Sequence, residues 1–360
     1  MKLGETIRGY RITSKPTNDG GGKCVWAFAE QGGKEYFLKA FLEPKRPRDG
    51  GTGSASQRRR MAECQEFEQR HRSIMDRLKP DAVGGGNLVL AVDFFHEGST
   101  YYKVTERISV ASLESPQSLD PRKKIVLLRT LALSLRQLHD IGVVHGDLKP
   151  ANVLIQKKPG KTFHTAKLID FDDSYLTTKP PDRGAIAGDS AYGAPEWLRY
   201  LQGDADVRPE YLTTKVDLFA LGLMTHLYVT GTLPGFPDRF ASAAHAVISD
   251  VPLRIDDRLT PGMRMLIQHL TAQSPGKRPN VNSFMATLRD PDICVLTQRT
   301  KARAVTDPPA APTKRSGVRI NIDGGRAATP TPVSAPAVPP GAGAESPKTS
   351  RVRINIRDDG

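Results

Sequence analysis

Two short runs carry most of the side chains that could do chemistry. HGDLKPANVL (145–154) holds Asp147, Lys149 and Asn152, and DFDD (170–173) holds Asp170 and Asp172. Carboxylate and amide oxygens in such a pattern are hard ligands, the kind that suits Mg²⁺. Phosphoryl transfer asks a protein for positioning and charge more than for covalent work. It needs a cation on the phosphates that stay behind, oxygen ligands for the metal, and a carboxylate near the attacking hydroxyl. Each need has a candidate here. A lone Asp-x-x-x-x-Asn carries little information, but HGDLKPANVL followed by LIDF carries much more.

These residues require elements that hold them. Asp147 and Asn152 lie on a loop entered from VVH and left through NVLI, both strand-like, and Asp170 follows the apolar run KLI. Upstream, YRITSK, CVWAFAE and KEYFLKAFL have the β-branched and aromatic content of strands, separated by glycine clusters. RRRMAECQEFEQRHRSIMDRL places Met61, Phe67, Ile74, Met75 and Leu78 near helical spacing. NLVLAVDFFHEGSTYYKVTERI returns to strands around a HEGS turn. Asp120 then caps a long helix with Pro121 at its first position, and Gly142 ends it. Further helices are predicted in TKVDLFALGLMTHLYVTG, TPGMRMLIQHLTA and VNSFMATLRD. The implied organisation is a strand-rich lobe (1–108), a helical lobe (109–295) and a tail (296–360).

The chain has 360 residues, enough for one large core or two lobes. No apolar run is long enough for a membrane span, and the N-terminus lacks the pattern of a signal peptide. Cys24, Cys64 and Cys294 are odd in number and far apart, which points to reduced thiols and a cytoplasmic setting, with no metal-ligand spacing. The net charge of +13 sits partly in the loop PKRPRDGGTGSASQRRR and partly in the tail, without a helical stripe or interleaved aromatics. It reads as solvated basic loops, so no specific nucleic-acid partner is expected. The tail is rich in Pro, Ala, Thr and Gly and is expected to be disordered. Within it GVRINIDGG (317–325) returns as RVRINIRDDG (351–360). The VRINI repeats read either as drift duplication or as a docking strand that adds to a sheet edge.

HGDLKPANVL and LIDF resemble the catalytic and metal loops of the protein kinase superfamily, in its bacterial eukaryotic-like serine/threonine branch, and the resemblance spans roughly residues 6–290. It implies an α+β bilobal fold, with a small antiparallel β-sheet lobe carrying one long helix and a larger, mainly helical lobe. It implies ATP and Mg²⁺ as cofactors and a protein substrate. By the family's motif Asp147 is the catalytic base, Lys149 neutralises charge on the transferred phosphate, and Asn152 and Asp170 hold Mg²⁺. Lys39 in YFLKAF fits the strand lysine that contacts the α/β-phosphates. TNDGGGKCVW matches the glycine-rich loop in part, at Gly20 and Gly21. KVTERI resembles the hinge, with Thr105 as gatekeeper and the Glu106 carbonyl and Ile108 amide as adenine partners. Val25 falls above the purine and Leu154 beneath it. Of Glu63, Glu66 and Glu68, the last is favoured as the helix partner of Lys39, although the usual place falls nearest His71. Downstream, AYGAPEWL, VDLFALG and GKRP resemble the end of an activation segment, the helix whose Asp217 braces the catalytic loop, and the Arg278 that pairs with buried Glu196.

The departures from the pattern are informative. Gly146 replaces an Arg that clamps a phosphorylated loop, so activity is expected not to need phosphorylation at Ser174, Tyr175, Thr177 or Thr178. Asp172 replaces a flexible Gly beside the metal ligand, and Phe37 replaces a small residue over the adenine. Asp189 replaces a Thr that bonds the catalytic Asp and Lys; it should pair well with Lys149 and poorly with Asp147. HGDL and DFDD also resemble aminoglycoside- and choline-type phosphotransferases, against which Lys149 and the downstream set argue. A nucleotide-binding scaffold without activity is the third reading, against which the presence of Lys39, Asp147, Asn152 and Asp170 argues.

Overall fold

The computed structural model describes residues 1–20, 22–47, 54–78, 87–108, 115–157, 160 and 162–297. The expectations for Gly21, for the VRINI repeats and for nearly all of the tail lie outside these residues.

The first part is one antiparallel sheet. Its strands are β1 (Thr6–Ile7), β2 (Tyr10–Ile12), β3 (Cys24–Gln31), β4 (Lys34–Phe41), β5 (Ala91–Glu97) and β6 (Thr100–Glu106), in the order β1-β2-β3-β4-β6-β5. Period-2 alternation sorts the two faces. Ala27, Ala29, Leu38, Ala40, Tyr102 and Val104 bury one face against Ile7, Tyr10 and Ile12. The other face carries Lys39 and meets helix α1 (Ala55–Arg77), which is capped by Ser54 accepting from Gln57 N. There Cys24, Phe41, Phe94 and Tyr101 close on Cys64, with Phe67 and Met75 at the margin.

The second part is helical. Helix α2 (Pro121–Asp140) starts where the sequence marks it: the Asp120 carboxylate accepts from Lys123 N, and Pro121 needs no partner for its missing N–H. Its apolar stripe of Leu127, Leu128, Leu131, Leu135 and Leu138 is the centre of the main core. After α2 come β7 (Val143–Val144), β8 (Val153–Lys157), β9 (His164–Leu168) and β10 (Tyr175–Leu176). They form two small antiparallel pairs, β7 with β10 and β8 with β9. Helices α3 (Pro195–Leu201), α4 (Lys215–Thr230), α5 (Ala243–Ile248), α6 (Pro261–Leu270) and α7 (Val281–Thr287) complete this part. α4 is buried on nearly every side, as its unbroken apolar run demands. It ends at Gly231, whose φ of 91° turns the chain out of the helix. Gly222 lets α4 and α6 approach closely, since a Cβ there would lie 2.8 Å from Leu270 Cβ. Among the described residues no helix is long and apolar enough to cross a membrane.

Candidate functional site

β7 delivers the chain to residues 145–149, a 3₁₀ turn at Pro150–Asn152 follows, and β8 leads away. The loop is fixed from below by Asp217, buried in the first turn of α4. Its Oδ2 accepts from His145 N at 2.8 Å and lies 2.9 Å from His139 Nε2, and its Oδ1 accepts from Gly146 N at 3.0 Å. His145 is buried and uses Nε2 on the Ile169 carbonyl at 3.1 Å, which ties the loop to the segment that bears Asp170. Gly146 has φ 82°, and a Cβ there would lie 2.5 Å from the Asp173 carbonyl oxygen. An Arg therefore has no room at this position without displacing residue 173. Gly146→Ala is expected to cost about 1–3 kcal/mol of stability, measurable as a lowered Tm. Ser174 and Tyr175 are buried, and Ser174 Oγ donates to the His145 carbonyl at 3.0 Å. Neither is accessible to modification in this arrangement, whereas Thr178 is exposed.

On this loop Asp147, Lys149 and Asn152 converge. Asn152 Nδ2 donates to the Asp147 carbonyl at 2.7 Å and to its Oδ2 at 2.9 Å. With its NH₂ group held there, Oδ1 is the atom of Asn152 with ligand character. Lys149 Nζ lies 2.9 Å from Asp147 Oδ2 and 3.5 Å from Asp189 Oδ2. Burial disfavours the Lys149 cation, but Asp147 and then Asp189 outweigh it and raise its pKa. Asp189 does face Lys149, and it is held by Ala191 N donating to its Oδ1 at 2.9 Å. Asp147 Oδ1 is buried without a hydrogen-bond partner. That orphan oxygen is where an incoming donor would be welcome, since an unmade buried bond costs free energy.

Asp170 stands just past β9 at φ 64°, a strained conformation for a residue with a side chain. Phe171 sinks into the main core beside His145, and its neighbours Asp170 and Asp172 both reach Lys39. Lys39 Nζ lies 2.7 Å from Asp170 Oδ1 and 2.9 Å from Asp172 Oδ2. Lys103 Nζ lies 2.7 Å from Asp172 Oδ1. Burial opposes the charge of Lys39, yet the Asp170 and Asp172 carboxylates raise its pKa. Asp172 is also opposed by burial, but Lys103 and Lys39 hold it well below the carboxylate range. Asp170 goes the other way: burial, abetted by Asp172, raises it against the pull of Lys39. Asp173 is pushed up to about 6 by burial and by the charges of Asp147, Asp172 and Asp170.

Two expected placements are corrected. Glu68 does not meet Lys39. It binds Arg46 Nη1 at 2.6 Å and accepts from the Tyr101 hydroxyl at 2.6 Å. The reason is helical phase: the α1 position that faces the lysines is His71. Its Nδ1 is 2.9 Å from the Phe67 carbonyl and its Nε2 is 4.0 Å from Asp172 Oδ1. Burial and then Lys103 push the His71 pKa down to about 3, so it is neutral. Glu63 pairs with Arg59 instead, and Glu66 is exposed. Val25 is the second correction. The register pairs Val25 with Ala40 and Trp26 with Lys39, so Val25 lies on the sheet face away from Lys39. Trp26, Phe28 and Phe37 share the lysine face and touch one another, with centroids 5.1 Å (Trp26–Phe37) and 5.6 Å (Trp26–Phe28) apart. Arg107 covers Phe28 at 4.1 Å, and the Trp26 indole donates to the Asp19 carbonyl at 2.9 Å.

Thr105 pairs with Phe37 across β4 and β6. Arg107 N donates to the Glu35 carbonyl at 3.0 Å, so strand alternation turns the Glu106 carbonyl and Ile108 amide to the other side. Leu154 is half-buried on β8, and Gly20 takes φ 65° in the turn before β3. Farther away, Arg278 and Glu196 form a bidentate buried pair, Nη1–Oε1 2.6 Å and Nη2–Oε2 2.7 Å. Lys103, His139, Trp26 and Phe28 were not singled out from the sequence, whereas Phe37 was. A lysine inside the apolar run YYKVT was the available signal, since a buried charge requires a partner.

A family model described as "Protein kinase domain" matches residues 56–288, more than half of the chain; β3, β4 and Lys39 precede the match. The serine/threonine-protein kinase pkn2 of Myxococcus xanthus is 31% identical over 210 residues, covering 55% of this chain and 24% of that protein. Serine/threonine-protein kinase pkn3 of the same organism is 26% identical over 181 residues, 48% of this chain and 32% of that protein. Protein kinase kin1 of Schizosaccharomyces pombe is 28% identical over 239 residues, 65% of this chain and 24% of that protein. The chain thus spans no more than about a third of the length of these relatives.

Proposed function

Since the chain belongs to the protein kinase domain family, we propose that it transfers the γ-phosphate of Mg²⁺-bound ATP to serine or threonine hydroxyls of a protein substrate. The observation that carries this reading is the convergence of Asp147, Lys149 and Asn152 on a loop braced by Asp217, with Asp147 Oδ1 buried and unpartnered. Asp147 accepts the hydrogen of the acceptor hydroxyl and later its proton. Lys149, already charged and 2.9 Å from Asp147, draws the transferred phosphoryl group toward the hydroxyl. Lys39 binds the phosphates that stay behind, and the Glu106 carbonyl and Ile108 amide hold the base edge.

The donor set fits Mg²⁺. Asn152 Oδ1 and the Asp170 carboxylate are hard oxygens, the kind of donor that Mg²⁺ takes. Among the described residues no three His, Cys, Asp or Glu side chains group as a metal site of their own, which suits an ion shared with nucleotide phosphates. When bound, Mg²⁺ would be held by Asn152 and Asp170 and would neutralise phosphate charge. The small-molecule reading loses weight to the family match and to the Glu196–Arg278 pair, which ties the first turn of α3 to the segment before α7. A cytoplasmic setting, and partner docking through the VRINI repeats, belong to the same proposal.

The test is incubation of the full chain with γ-labelled ATP, Mg²⁺ and generic protein acceptors, followed by mapping of the labelled residues. Label on Ser or Thr, lost on chelation with EDTA, is the expected result. Nucleotide binding without label on any protein hydroxyl would overturn the reading.

A further inference from the structure

Lys39 and Lys103 are directly opposite one another on β4 and β6. Two ammonium groups side by side on a buried sheet face repel, and like charges at opposed positions are destabilising. One carboxylate resolves the conflict. Asp172 gives Oδ2 to Lys39 at 2.9 Å and Oδ1 to Lys103 at 2.7 Å. Neither Glu68 nor His71 of α1 competes for either lysine. Glu68 is spent on Arg46 and Tyr101. His71, at the facing position, has Nδ1 on the Phe67 carbonyl and is packed between aromatic rings, stacked on Phe94 at 4.9 Å.

We propose that Asp172 is the positioning residue for Lys39: the carboxylate that aims the phosphate-binding lysine comes from the segment after β9 and not from helix α1. This rests on the reading of Lys39 given above. The two acidic residues then divide the work. Asp170 is free to exchange Lys39 for a metal, whereas Asp172 stays with both lysines and keeps Lys39 aimed when Asp170 turns away. A shift of α1 leaves the Lys39 ion pair intact, so α1 is not the element that assembles this site.

The experiment compares the full-length wild type with Asp172→Asn, Asp172→Asn/Lys103→Met and Glu68→Gln. Two quantities are read, the Tm and the affinity for Mg–ADP by calorimetry, neither of which needs catalysis. Asp172→Asn is expected to lower Tm and to weaken Mg–ADP binding by about tenfold or more. Adding Lys103→Met removes the surplus cation and restores Tm but not the affinity, because Lys39 still lacks its guide. Glu68→Gln is expected to hold Mg–ADP affinity within about twofold. The proposal is overturned by an Asp172→Asn variant with wild-type affinity, or by recovery of affinity along with Tm in the double variant, which would make Asp172 merely structural. A loss in Glu68→Gln as large as that in Asp172→Asn would also overturn it, by returning the anchor to the helix. A wild type that binds Mg–ADP but labels no protein would refute the proposed activity while leaving this assignment standing.

Discussion

Asp147→Asn is expected to lower kcat by about 10²–10⁴-fold while leaving the KM for ATP nearly unchanged. The substitution keeps size and shape, so Asn152 Nδ2 can still donate to an oxygen at position 147, as it now does at 2.9 Å. What disappears is charge. The Lys149 ammonium, 2.9 Å from Oδ2, loses its nearest counter-ion and turns to Asp189, already 3.5 Å away. The acceptor hydroxyl loses the oxygen that takes its proton, because an amide is a poor base. In the proposed reading nucleotide contacts run through Lys39, Asn152 and Asp170, which the substitution leaves in place. A fall confined to kcat, measured on protein whose Tm is within a few degrees of wild type, would place Asp147 at the reacting atoms. Equal kcat in the two proteins would remove Asp147 from the chemistry. A rise in KM with kcat preserved would make it a binding residue only.

Much of the fold was legible because its signals are local. Asp120 and Pro121 marked the start of α2, and Gly142, at φ 70°, its end, through cap chemistry that involves only neighbouring residues. β-Branched and aromatic content between glycine clusters marked CVWAFAE and KEYFLKAFL as β3 and β4. The short elements β1, α3 and α5 were not singled out, since two to seven residues carry too little periodicity to stand out. In the site, Asp147, Asn152, Asp170 and Asp217 were read from motifs and do come together. The two misplacements have one origin in registration between elements. A helix turn of phase separates Glu68 from His71, and one residue of strand register puts Val25 on one face and Trp26 on the other. Counting along the helix did put the usual place nearest His71, whereas no local pattern specifies the strand register. The lysine network was hidden for the same reason: Lys39, Lys103 and Asp172 are far apart in the chain, and only the β4–β6 register and the burial of Phe171 bring them together.

The largest effect on stability is expected at Arg278, far from the cleft. Its guanidinium is fully buried over the Phe219 ring and donates to both oxygens of Glu196 and to the carbonyls of Ala272, Gln273 and Lys215, at 2.6–3.1 Å. Arg278→Met keeps most of the volume and removes all of these donors. The Glu196 carboxylate is then buried without a cation, and three carbonyls lose a partner. Breaking a buried pair from one side costs about 3–5 kcal/mol, which corresponds to a Tm drop of roughly 6–20 °C for a domain of this size. Glu196→Gln is expected to cost less, because the Arg278 cation retains its three carbonyls and gains an amide oxygen. The ordering is therefore the sharp part of the prediction: thermal unfolding should place Arg278→Met below Glu196→Gln, and both below wild type. Combining Glu196→Gln with Arg278→Met should recover part of the loss, since an uncharged pair leaves no buried ion behind. If Arg278→Met unfolded at the wild-type temperature, the pair would be no more than a contact. If Glu196→Gln were the more damaging, the cation and not the carboxylate would be the group that cannot be left alone in the interior.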